Sequence, residues 1–108
     1  MIDRFAFVRL SSPHANMVGR ADTIARIRMA LVDLDGLVRL SLGTPAADAS
    51  ADKWDVSIVA RFADLPALTA AMATVAWASI FDHMLPARAA VIKAWSFVVD
   101  DAAPSPLR

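Results

Sequence analysis

Trp54-Asp55-Val56-Ser57-Ile58-Val59-Ala60-Arg61-Phe62 is the stretch on which the fold turns. Trp54, Val56, Ile58, Ala60 and Phe62 fall on alternate positions with Asp55, Ser57 and Arg61 between them, the period of a strand half-buried against a core. Immediately after it, Asp64 stands where a helix N-cap belongs and Pro66 where a missing N–H costs nothing. Leu65, Leu68, Met72 and Val75 then predict a buried helical stripe. The Ala-rich run 67–78 lets that helix lie close to a sheet, and Pro86 is expected to end or kink its continuation through Ile80, Phe81 and Met84.

Strand patterns recur toward both ends of the chain. Over residues 3–10, Arg4, Ala6, Val8 and Leu10 share one face and Phe5, Phe7 and Arg9 the other. Both faces carry apolar groups, so both sides of the sheet are expected to be covered. Residues 11–16 read as a loop, and Ile24, Ile27, Leu31 and Leu34 give a helical spacing that Gly36 is expected to end. Leu37 to Gly43 is a second strand, with Val38, Leu40 and Leu42 alternating against Arg39 and Ser41. Residues 44–53 hold few bulky side chains and read as an exposed loop or a loose, mobile hairpin connection. Val91 to Val99 is the last strand, in which a slip of one residue would exchange Lys93 and Trp95 for Ala94 and Ser96 on the inner face. Residues 100–108 read as a frayed tail.

The order strand, helix, strand, strand, helix, strand is that of an α+β, ferredoxin-like βαββαβ unit with a four-stranded antiparallel sheet, here one domain over residues 1–99. At 57% hydrophobic, above the usual figure of about 45–50%, so small a body retains apolar surface after folding. That surplus points to an oligomer. Eleven basic residues balance eleven acidic ones, which removes the field that would draw nucleic acid or an anionic membrane. With no cysteine, disulfides, thiolate nucleophiles and thiolate metal sites are excluded. No apolar run approaches the length of a membrane span, and the reading is of a soluble, cytoplasmic protein.

The opening Met1-Ile2-Asp3-Arg4-Phe5, the segment Trp54 to Leu65 and the closing Val91-Ile92-Lys93-Ala94-Trp95-Ser96-Phe97 resemble the stress-responsive α/β-barrel (Dabb) family over nearly all of residues 1–99. The resemblance implies a homodimer in which two four-stranded sheets pack face to face into a shared barrel with helices outside. Phe5, Phe7 and Val59 then belong to the dimer face. Members include a polyketide cyclase that uses two histidines in a pocket between sheet and helices. The first of those positions is Arg4 here, and the His-Pro-x-His motif corresponds to Thr74-Val75-Ala76-Trp77. A general base would have to come from elsewhere.

Each candidate side chain has a plainer alternative. Arg4, on the expected pocket face, could clamp a carboxylate or enolate, or snorkel to solvent or pair with Asp3. His83 could carry protons near neutrality, or be a helix-end histidine. Asp82 beside it points about 100° away on a helix and does not orient it. His14 reads as a loop residue, and with no histidine or carboxylate cluster at ligand spacing, neither a metal nor a cofactor is expected. Trp54, Trp77, Trp95 and Ile58 could wall a pocket for an apolar or aromatic ligand, or pack in the core or an interface; Trp77 in particular could fill the pocket that relatives leave open. No nucleophile elbow or phosphate-cradling glycine loop is present. The leading function is binding of a small apolar or aromatic ligand. The alternatives are an enzyme acting on a phenolic or reactive carbonyl compound with His83 as acid or base, and a structural or stress-related protein with a filled interior.

Overall fold

The strand with apolar groups on both faces, β1 (Ile2–Leu10), is one of the two inner strands of the sheet. In this computed structural model, which describes residues 1–101 apart from the side chains of Ala49 and Ala51, β1 pairs antiparallel with β3 (Val56–Phe62) and with β4 (Ala89–Val98). β2 (Leu37–Gly43) lies outside β3, giving the order β2-β3-β1-β4. This is the ferredoxin-like arrangement.

One sheet face builds the core: Ala6, Val8, Leu10, Val56, Ile58, Ala60 and Phe62 are all buried against the helices. The register also settles the last strand. Ala94 pairs with Ala6 and Ser96 with Arg4, so Lys93 and Trp95 stand beside Phe7 and Phe5 on the opposite, open face. In β2 an irregularity between Leu37 and Arg39 turns Val38 outward, while Leu37, Leu40 and Leu42 pack on the core.

Helix α1 (Met17–Leu31) starts at Asn16, whose side-chain oxygen accepts from the Gly19 N–H at 2.8 Å. Its buried line is Gly19, Thr23, Ile27 and Leu31, an unbroken i, i+4 series. Ile24 and Leu34 sit at the margin of the core. A polar residue is tolerated within it because the Thr23 hydroxyl donates to the Gly19 carbonyl at 2.7 Å. At Gly19 a Cβ would collide with the His14 carbonyl, so the loop's close approach demands glycine. The helix ends at Leu31, before Gly36; that glycine, at φ 81°, forms the turn into β2 instead.

The segment 44–53 contains a short helix, α2 (Asp48–Ala51), and the Trp54 N–H bonds back to the Ser50 carbonyl at 2.9 Å. Strand β3 therefore begins at Val56, and Trp54 escapes the strand alternation. Its ring lies 5.7 Å from Phe7, on the open face.

Asp64 caps α3 (Leu65–Met72), accepting from the Ala67 N–H at 2.9 Å, with Pro66 in the first turn. The expected stripe does not survive beyond Leu68: Leu65, Met72 and Val75 are exposed. Within α3 the inward side chains are Leu68 and Ala71, and a 67° bend after Met72 sets Val75 on a new axis. At Thr74 the hydroxyl donates to the Ala71 carbonyl and accepts from the Trp77 N–H, ending one helix and starting α4 (Val75–Ala78). The chain runs on through a π-helical turn, Ser79–Met84, into α5 (Leu85–Arg88). Pro86 does not end the helix. It lies in the first turn of α5, where its lack of an N–H is absorbed by the wider turn ahead. The buried set becomes Leu68, Ala71, Trp77, Ile80 and Leu85. Among the described residues, no single helix is long and apolar enough to cross a membrane.

Asp55 is buried, and its carboxylate accepts from the Leu10 N–H at 2.7 Å and from Arg20 Nε at 2.9 Å. Asp55→Ala should lower the unfolding free energy by about 3 kcal/mol, since it strips two charge-assisted hydrogen bonds and orphans a backbone donor. Asp55→Asn, which can still accept from Leu10, should lose less. Urea unfolding of the three proteins checks this, and a loss below about 1 kcal/mol for the alanine variant would contradict it.

Candidate functional site

The residues singled out by sequence fall on two sides of the sheet. On the helix side, Arg4 is half-buried, in register with Ala60 and Ser96 and flanked along β1 by Ile2 and Ala6, so the floor is made of small side chains on three sides. One of its Nη atoms donates to the Ser96 hydroxyl at 3.1 Å. Arg20, Arg61 and Arg88 are also half-buried, and each meets a carboxylate, on Asp55, Asp3 and Asp22 respectively. Among the described residues Arg4 is the half-buried arginine that does not. Asp3, its sequence neighbour, is engaged by Arg61 on the other face.

Ile58 and Trp77 lie in the core. Trp77, 5% exposed, stacks on Phe81 with centroids 4.4 Å apart and tilts against Phe62 at 6.4 Å. The indole thus fills space between helix and sheet. Trp54 is on the opposite side, so Arg4, Ile58 and Trp77 share one side of the sheet and Trp54 does not join them. His83 is exposed in the π-helical turn, and no hydrogen bond to its side chain occurs among the described residues. His14 sits in the loop before α1, its carbonyl accepting from the Asn16 N–H. The described residues bring no three metal-ligating side chains together.

The open face is aromatic. Phe5 meets Phe97 edge to face at 5.7 Å, and Phe7 touches both Trp54 and Trp95. Trp95 is 45% and Phe97 56% exposed, which is unusual for side chains worth this much on burial. Together with Val98 and Val99 they line a shallow hollow of about 500 Å³. A second hollow, of about 470 Å³, lies beneath the β2–β3 connection, walled by Phe7 and Trp54. Sequence alternation points to this face, but the share of Trp54 in it depends on where β3 starts, which periodicity does not show.

At one end of the face Arg61 holds Asp3 in a fork, Nε to Oδ1 at 2.7 Å and Nη2 to Oδ2 at 2.9 Å, and also pairs with Asp101. Of the stretch 100–108, expected to fray, Asp101 is therefore tied to the sheet, and 102–108 lie outside the described residues. The hydrogen bonds from Arg61 hold the Asp3 carboxyl below the usual carboxylate range, against the opposing effect of burial; the charges of Arg61, Arg39 and the N-terminus add to the lowering.

No family model and no curated protein matches the chain. Solved structures do match in fold. A Dabb family protein with a ferredoxin-like fold from Mesorhizobium loti superposes with a TM-score of 0.74 at 11% identity, over 93% of this chain and 97% of that one. A dimeric ferredoxin-like protein of unknown function from Thermobifida fusca gives 0.74 at 15%, over 91% and 90%. The hydroxynitrile lyase of Passiflora edulis gives 0.74 at 14%, over 95% and 96%. Identities this low establish the shared fold, and a fold shared between a lyase and proteins without assigned activity does not fix the chemistry.

Because the folded-state pKa of Asp3 is depressed, its stabilising contribution is complete above the unfolded value of about 3.9 and is lost as pH falls below it toward the folded value. Asp3→Asn should therefore be less stable than the parent at pH 7, and the gap should narrow as the pH falls below about 4. Denaturant titrations at several pH values read this directly; a gap that stayed constant into strong acid would refute the assignment.

Proposed function

We propose that the protein is a cytoplasmic homodimer, closed by its open sheet faces, that binds a small, largely apolar or aromatic molecule carrying an acidic group. The observation that carries the ligand is the half-buried Arg4 guanidinium with no carboxylate partner among the described residues, above a floor of Ala6, Ala60 and Ser96. Lowering the solvation of a guanidinium without pairing it is unfavourable. A carboxylate, phenolate or enolate of a ligand would supply the missing charge in a two-point fork. Ile58 belongs to the same side of the sheet, and Trp77 would form the apolar end of the site rather than an open wall.

The dimer is supported by the aromatic cluster of half-buried Phe5 and Phe7 with exposed Trp95 and Phe97, Val59 beside them, and by a similar fold in the Thermobifida fusca protein described as dimeric. Two such faces together would bury the surplus apolar surface that a single copy leaves wet. One reading competes on a specific observation: the close stack of Trp77 on Phe81 suits a filled interior with a purely structural role.

Native mass spectra at rising collision energy separate these readings. The expected result is a dimer that releases one defined small anionic mass per subunit, and an Arg4→Ala dimer that carries none. A parent dimer that is empty under the gentlest conditions, in several expression media, would favour the filled interior. Phe7→Glu or Val59→Glu should convert the dimer to monomer, because an unpaired charge buried in an apolar interface is strongly unfavourable. Light scattering of either variant checks this, and a variant that remained dimeric and equally stable would overturn the choice of face.

A further inference from the structure

The hollow of about 470 Å³ beneath the β2–β3 connection lies on the open face, across the sheet from Arg4. Its volume is within the range of about 300–1,000 Å³ typical of small-molecule sites. We infer that it is a second binding site, for a small planar aromatic acid that lies against Trp54 and Phe7 and is held at its acidic end by Ser57 and Lys53.

Four features of the hollow converge on that chemistry. The two rings, 5.7 Å apart and tilted by 47°, offer a flat apolar wall. Ser57 is half-buried on the floor, and its hydroxyl makes no hydrogen bond among the described residues. Directly across the ladder from it stands Gly43, where a Cβ would collide with Ser57 Oγ, so the absence of a side chain there keeps the hydroxyl free to face the hollow. Two charged residues line the site, Asp55 and Lys53. Asp55 is already matched by Arg20 and the Leu10 N–H, whereas Lys53 is exposed and forms no ion pair among the described residues. The charge offered to a ligand is therefore positive, beside a hydroxyl donor and an aromatic wall.

This site does not depend on Arg4 or on the ligand assigned to the helix side. In a face-to-face dimer the hollow would open toward the partner's sheet.

The test is a titration of the full-length protein with 2-naphthoate, followed by ¹H–¹⁵N correlation spectra. Saturable shifts are expected at the Gly43 and Ser57 amides and the Trp54 indole N–H. Lys53→Gln should weaken binding by up to about fivefold at low salt, the scale of one exposed ion pair. Gly43→Ala should turn the Ser57 hydroxyl away and weaken binding with the spectrum of the folded protein retained. Any shift at Ser96 from 2-naphthoate on the Arg4 side should vanish in Arg4→Ala, while those at Gly43, Ser57 and Trp54 persist. Shifts confined to the surroundings of Arg4 and Ser96, or no saturable shift at all, as when the partner's side chains occupy the hollow, would overturn the proposal. So would an affinity indifferent to both Lys53→Gln and Gly43→Ala.

Discussion

The buried carboxylate of Asp55 joins three elements that would otherwise be free to slide. One oxygen takes the N–H of Leu10, at the irregular end of β1, and the other takes Arg20 from the first turns of α1. The Asp55 N–H donates in turn to the Val8 carbonyl at 2.8 Å. The start of β3, the end of β1 and the approach of α1 are thus set by one residue. From that anchor the β1–β3 register follows, and with it the division of the sheet into a face for the core and a face left open. It also explains why Trp54, one residue earlier, is thrown to the far side.

The strands were legible in the sequence because a two-residue period survives wherever one face is buried, as it is along Val56, Ile58, Ala60 and Phe62. The Asp64 cap was legible because its geometry is local. What periodicity could not convey was interruption. Thr74 breaks the second helical stretch by satisfying both flanking turns with one hydroxyl, so the residues that looked like a single stripe belong to two axes. Thr23 was hidden by its polarity, although a hydroxyl that bonds its own helix carries little penalty inside. Of the candidate site, the side on which Arg4 lies could be read from alternation. That it meets no carboxylate among the described residues, while Arg61 takes Asp3, required knowing which residues face each other across strands.

The two sides of the sheet divide the chemistry of the molecule. The helix side is closed by Trp77, Phe81 and Ile80, with polarity introduced at Arg4 and Ser96 alone along its floor. The open side has an ion-paired group, Asp3–Arg61–Asp101, at one end, its rings in the middle, and Lys93 and Lys53 toward the other end. Ion pairs with this geometry favour one partner orientation over others more than they add affinity. A second sheet laid on this face would be guided by that charged end and held by the rings.

Sheet order has one more consequence. β2 and β4 are the outer strands, and their outer backbone groups have no ladder partner within the sheet. The β2 rim is blunted by the irregularity at Leu37 and Arg39. The β4 rim is ten residues long, regular over most of its length, and borders the aromatic face. A regular rim beside a sticky face is a template on which a foreign strand can grow. If a second copy covers the open face, strong dilution would strip it away and expose the chain to clumping while each copy is still folded.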